Sequence, residues 1–221
     1  MVRCRPAAER EFLRGVELSP NYARAHELLG WYLVEVGRTE EGLDHARRAV
    51  ALDPLSVEIA GSLGLQLYFA RRYEEAATEI HKVFKLQPEC GFCYFALGQI
   101  YGQQGRYSEA IAAQQKARDK WVLSSQTAEL ARVYALAGRA AEARQSLADL
   151  LAGAKRQYVS KYTIATVYAA MGDKDRALAQ LEQAYQDRSQ WFAFMKVDPE
   201  MDSLRSEPRF QDLMRRLQFP P

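Results

Sequence analysis

Long apolar runs are the first thing missing from this chain. Nowhere do about 18 apolar residues follow one another, the length a membrane-crossing helix needs. Met1-Val2-Arg3-Cys4-Arg5-Pro6 has no apolar stretch behind its charges. Neither a membrane span nor an export signal is expected. Surplus charge is missing too: 30 Lys and Arg stand against 28 Asp and Glu, a net of +2. A chain that works by neutralising a phosphate backbone carries a clear basic excess, so no nucleic-acid partner is expected. Cysteine is scarce, with three residues at irregular spacing. An odd, scattered set cannot build the disulfide framework of a small secreted domain, and the expectation is a reducing, cytoplasmic setting.

What the chain does have is 48% hydrophobic and 26% charged residues over 221 positions, enough for one large domain or two small ones. It also has a period. Leu18-Ser19-Pro20, Leu52-Asp53-Pro54 and Leu86-Gln87-Pro88 place their prolines 34 residues apart, and Gly30, Gly64 and Gly98, each preceded by leucine, recur at the same interval. Gly37, Gly105, Gly138 and Gly172 each open a turn between two apolar-periodic stretches. Apolar residues recur at three- and four-residue intervals, as in Leu29, Leu33, Ala46 and Ala49, so each period reads as two helices of about 14 residues joined by a short turn. A glycine inside a helix costs about 1 kcal/mol against alanine, so its recurrence marks a site where two helix backbones approach closely. Proline closes each period because it forces the preceding residue out of the helical region, yet suits the first turn of the next helix.

These residues resemble the tetratricopeptide repeat. Leu29, Gly30, Leu33, Gly42, Ala49 and Pro54 fill its signature places in the first full unit, and Leu63, Gly64, Leu67, Tyr73, Ala76 and Pro88 in the second. Leu97, Gly98, Tyr101, Gly105, Tyr107, Ala110 and Ala117 fill the third; Leu130, Ala131, Tyr134, Gly138, Ala143 and Leu147 the fourth; Ile164, Ala165, Tyr168, Gly172, Ala177 and Ala184 the fifth. The family's early tryptophan is replaced by His26, Ala60, Tyr94, Thr127 and Lys161, and its closing proline by Val122 and Lys155 in the third and fourth units. The resemblance implies an all-α fold, a right-handed α-solenoid of antiparallel helix pairs. Its array would span 1–188: a half repeat at 7–20, then full repeats at about 23–54, 57–88, 91–122, 124–155 and 158–188.

Residues 7–19 match only a second helix, so the chain begins in mid-repeat. That leaves Phe12, Leu13 or Val16 uncovered on one side and raises two expectations: a longer parent protein, or self-association through this end. Residues 189–221 read as a capping segment. Trp191-Phe192-Ala193-Phe194-Met195 forms a short apolar helix, and Phe210, Leu213, Met214 and Leu217 line a last amphipathic one. Lys196-Val197-Asp198-Pro199 and Leu204-Arg205-Ser206-Glu207-Pro208-Arg209-Phe210 resemble tails of bacterial tetratricopeptide proteins that carry kinases, cyclases or winged-helix regulators ahead of the repeats. The matching alternative is a regulatory or sensor part of such a signalling protein.

Within the family's frame, first helices line the concave face. The candidate groove residues are then Arg24, Glu27, Trp31, Glu58, Leu65 and Tyr68, followed by Phe92, Phe95, Gln99, Arg132 and Tyr162. So many aromatic and apolar residues on a face expected to meet solvent mark an interaction surface, with Arg24 and Arg132 able to hold an acidic group. The lysine, asparagine and arginine clamp by which some family members hold a carboxylate tail is absent, its places taken by Glu27, Trp31, Ser62, Phe92 and Ala96. The expected partner is a protein or peptide segment held by apolar and aromatic contacts. The function expected is a non-catalytic interaction scaffold.

No cofactor is expected. Cys90-Gly91-Phe92-Cys93 falls at a helix start and admits three readings: small helix-packing residues, a thiol redox pair, or part of a metal site with His81 nearby in sequence. The three histidines are isolated, and the paired carboxylates Glu40-Glu41 and Glu74-Glu75 sit where they complement a helix dipole. No catalytic constellation or metal motif is complete.

Overall fold

The structure is a computed structural model that describes residues 5–120 and 124–219. Every regular element among them is helical. The order is α1 (Arg5–Leu18), α2 (Ala23–Glu35), α3 (Thr39–Leu52), α4 (Val57–Phe69), α5 (Tyr73–Leu86), α6 (Gly91–Gln103) and α7 (Tyr107–Lys120). Then come α8 (Ser124–Leu136), α9 (Ala140–Gly153), α10 (Lys161–Ala170) and α11 (Lys174–Gln186), two 3-10 helices at Gln190–Phe194 and Pro199–Leu204, and α12 (Pro208–Leu217). The fold is an all-α solenoid of antiparallel helix pairs. Two compact units divide it: one holds α1–α5 with Ala193–Val197, the other α6–α11 with Asp198–Arg216.

Turn chemistry explains the hairpins. Gly37, Gly105, Gly138 and Gly172 lie at φ between 73° and 89°, a region a side chain disfavours, and each lets the chain reverse after a first helix. Arg71 takes the same left-handed conformation at the one hairpin lacking the glycine. An arginine then precedes each of four second helices and pairs with the glutamate three residues on, as in Arg72–Glu75 and Arg139–Glu142. Exposed pairs of this kind are screened by solvent and contribute little, so they fix the turn more than they hold the fold.

Packing inside the first unit rests on small residues. A Cβ built on Gly30 would lie 2.8 Å from the carbonyl oxygen of Gly42, so α2 and α3 touch backbone to backbone. Leu29, Tyr32, Leu33 and Val36 bury themselves against Ala8, Phe12 and Val16 of α1. The half repeat thus covers α2 with Phe12 and Val16, while Leu13 stays exposed. In the second unit Ala110, Ile111, Leu130, Val133, Tyr134 and Ala143 knit α7, α8 and α9 together.

These contacts set a paired prediction. Gly30→Ala meets backbone that has no rotamer to change, so urea unfolding followed by circular dichroism should show a loss of about 1–3 kcal/mol. Gly15, inside α1 with nothing near its Cβ position, has no such neighbour, and Gly15→Ala should gain up to about 1 kcal/mol in helix propensity.

Candidate partner-binding site

In the first unit, the first-helix face carries an aromatic slot. Trp31 on α2 and Phe69, the last residue of α4, stand edge to face with ring centroids 6.0 Å apart. The indole N–H of Trp31 donates to the Ser62 hydroxyl at 2.6 Å, which fixes the ring. Phe194, arriving from the C-terminal segment, stacks on Phe69 at 4.8 Å and meets Trp31 edge-on at 5.5 Å. Two residues further, Lys196 Nζ donates to the carbonyl of Val36, the residue that closes α2, at 2.8 Å. A cation at that end also meets the negative pole of the helix dipole.

Other candidates from the sequence fall around this slot in different roles. Arg24 bonds to Glu27 at 2.7 Å and to Glu58 at 2.6 Å, so its charge is already engaged. Glu27 is buried, Glu58 exposed and Leu65 half-buried. Tyr68 is 1% exposed and packs on Tyr73 and Phe69 between helices, where it offers no surface to a ligand.

In the second unit Phe92, Phe95 and Gln99 on α6 are half-buried, while Arg132 on α8 and Tyr162 on α10 are buried. The C-terminal segment contacts three of them. Tyr162 donates its hydroxyl to Asp198 Oδ2 at 2.7 Å, and Asp198 Oδ1 caps the second 3-10 helix by accepting from Glu200 N–H at 2.9 Å. Glu200 Oε1 accepts from Gln99 Nε2 at 3.2 Å and lies 3.4 Å from Arg132 Nε. Arg132 also makes a buried ion pair with Glu129. Met201 and Leu204 beside them are fully buried.

Three carboxylates thus gather around one guanidinium, largely shielded from water. Burial, reinforced by the neighbouring Glu200, lifts Glu129 to about 7 despite the attraction of Arg132. Burial and Glu200 likewise lift Asp198 to about 7 against the hydrogen bond from Tyr162. Both values lie above those of the unfolded chain, so the folded form binds extra protons between about pH 4 and pH 7.

Cys90 and Cys93 are joined in a disulfide across the first turn of α6, with Cys90 as the N-cap residue whose Sγ accepts from Cys93 N–H. Of the three readings open in the sequence, that of plain helix-packing residues gives way to a bonded pair: N-cap and third helical residue are brought within bonding range, with Cα atoms 5.2 Å apart. Both residues are buried, at 4% and 0% exposure. His26 and His45 stack, with Nδ1 atoms 2.9 Å apart, and His26 Nε2 faces the Pro20 carbonyl at 3.0 Å. A carbonyl only accepts, so His26 carries a proton on Nε2. Burial and the second imidazole hold His45 below the usual histidine range. Among the described residues no three His, Cys, Asp or Glu side chains are grouped to hold a metal ion, and no helix is long and apolar enough to cross a membrane.

The site residues that sequence reasoning missed are Phe69 and Glu129, together with Ser62 and the tail's Phe194, Lys196, Asp198 and Glu200 in their contacting roles. Phe69 carries a signal: it lies four residues after the inward-facing Leu65, hence one turn along the same helix face.

The carboxylate cluster sets a pH dependence. Its stabilising protons are fully present below about pH 4 and lost as pH rises through about 7, so unfolding free energy should fall by about 1–2 kcal/mol from about pH 5.5 to about pH 8.5. Glu129→Gln removes one of the titrating groups and should flatten that fall in denaturant titrations at the two pH values.

Comparison with known proteins agrees with this architecture. Family profiles described as tetratricopeptide repeat match residues 5–57 and 62–121, then 126–149 and 158–186. No curated protein matches the chain. Among solved structures, TTC0263, a thermophilic tetratricopeptide repeat protein of Thermus thermophilus, is similar at 21% identity and TM-score 0.62, covering 82% of this chain and 98% of its own. MamA is similar at 20% identity and TM-score 0.56, over 69% and 90% of the two chains. YrrB, a tetratricopeptide repeat protein with an unusual peptide-binding site, is similar at 19% identity and TM-score 0.50, over 84% and 96%. With its period, its helix pairs and these matches together, the chain belongs to the tetratricopeptide repeat family.

Proposed function

We propose that the protein is an interaction scaffold whose first-helix faces hold a segment of a partner protein, with no catalytic step of its own. The carrying observation is the slot in the first unit: Trp31, held by Ser62, and Phe69 grip a ring that comes from outside the helix pairs. Aromatic walls offer large contact area with few rotors to freeze, which suits them to dominate an interface. In the second unit Phe92 and Phe95 are half-buried on α6 and offer the same kind of surface. YrrB, which has this fold, is described as having a peptide-binding site, and the same use of helical faces is proposed for this chain.

Selection of a displayed random-peptide library on the whole protein tests this. A recurrent sequence class should emerge, and Trp31→Ala with Phe95→Ala should weaken its binding by about 2 kcal/mol or more while helix content is kept. Failure to enrich any class, or affinity unmoved in the folded double variant, would sink the reading.

A further inference from the structure

The slot of the first unit is already filled, and by a segment whose chemistry is legible. Phe194 packs against both Trp31 and Phe69, completing a triad of mutually contacting rings, and Lys196 closes on the Val36 carbonyl. The lysine seat is particular to one hairpin. A Cβ on Gly37 would stand 3.0 Å from Lys196 Cε, whereas at Gly105, Gly138 and Gly172 the same position has nothing within 4 Å. The turn after α2 therefore makes room for a long basic side chain that the corresponding turns do not receive. Between the two anchors Met195 is fully buried, while Phe194 and Lys196 themselves are only half-buried.

We infer that this face recognises an aromatic–x–lysine segment, and that Ala193–Val197 is the chain's own copy of that ligand, which a partner peptide of the same pattern must displace. The inference rests on the proposed partner-binding role and names its ligand class and its restraint. Each part follows from the contacts. The slot accepts a flat ring because an incoming ring can stack on Phe69 while meeting Trp31 edge to face, as Phe194 does at 4.8 and 5.5 Å. The second anchor accepts an amine because only a donor can satisfy the Val36 carbonyl, and a positive one is favoured at a helix C-terminus. An intramolecular occupant acts at a high effective concentration, so a free peptide binds weakly until the tether's own anchors are removed.

A fluorescein-labelled peptide with the sequence of residues 190–200 serves as probe, and a control peptide carries alanine at the positions of Phe194 and Lys196. Fluorescence anisotropy is read against the full chain and its Phe194→Ala, Lys196→Ala double variant. The double variant should bind the probe at least about tenfold more tightly than the unaltered chain, and the control at least about tenfold more weakly than the probe. Lys196→Ala alone removes one hydrogen bond and leaves the ring in place; it should tighten probe binding about threefold and stands in if the double variant loses helix content. Equal affinity of altered and unaltered chains, no preference over the control, or dimerisation of the Lys196→Ala chain in place of probe binding would each overturn the inference. Library-selected peptides that bind the chain yet ignore both substitutions would leave the scaffold role standing and remove only this one. Absence of peptide binding by every variant would remove both.

Discussion

A helix pair has two apolar stripes and only one internal contact, so a third surface must always be found for it. Stacking supplies that surface, and each unit shows how close the stacking has to be. Gly30 and Gly42 let two backbones touch, Gly64 leaves space for Ile80, and Gly98 leaves space for Gln114. At the start of the first unit α1 supplies the cover with Ala8, Phe12 and Val16. On the first-helix faces the chain's own C-terminal segment supplies it. The contacts of Phe194, Lys196, Asp198 and Glu200 are further instances of the same need.

The repeat was legible because its cause is local. A glycine that must take positive φ, a proline that must end a unit, and leucines three and four apart are dictated by neighbours in sequence, and Gly37, Gly138 and Leu29 could be placed without coordinates. Trp31 was legible as an inward-facing aromatic for the same reason. Its occupant was not: Lys196 and the Val36 carbonyl it binds are 160 residues apart, and no local pattern connects them. Tyr68 shows the opposite difficulty. Its place on a first helix says which way the helix turns, but only packing against Tyr73 and Phe69 makes it interior. The Cys90–Cys93 bond lay hidden because cysteine count describes a compartment, whereas a three-residue spacing at a helix start brings two sulfurs together wherever they are.

Charge inside the second unit is arranged against the usual economy of protein interiors. Arg132 could be matched by Glu129 alone, yet Glu200 and Asp198 are brought to the same place by the segment that covers it. Excess carboxylates out of water are tolerated only where protons or donors compensate, and Tyr162 and Gln99 supply the donors. The two units thus hold neighbouring stretches of one segment by unlike means: ring stacking and an amine in the first, shared protons and hydroxyl donation in the second.

The reach of that segment has a consequence during biosynthesis. Val36 leaves the ribosome 160 residues ahead of Lys196. The slot on α2 and α4 is complete once Phe69 is made, 125 residues ahead of Phe194, so at about 5 to 20 residues per second it stands open for roughly 6 to 25 seconds before its internal occupant exists. A nascent chain therefore passes through an interval in which Trp31 and Phe69 lack the cover of Phe194, and whatever reaches them first in that interval meets no competitor.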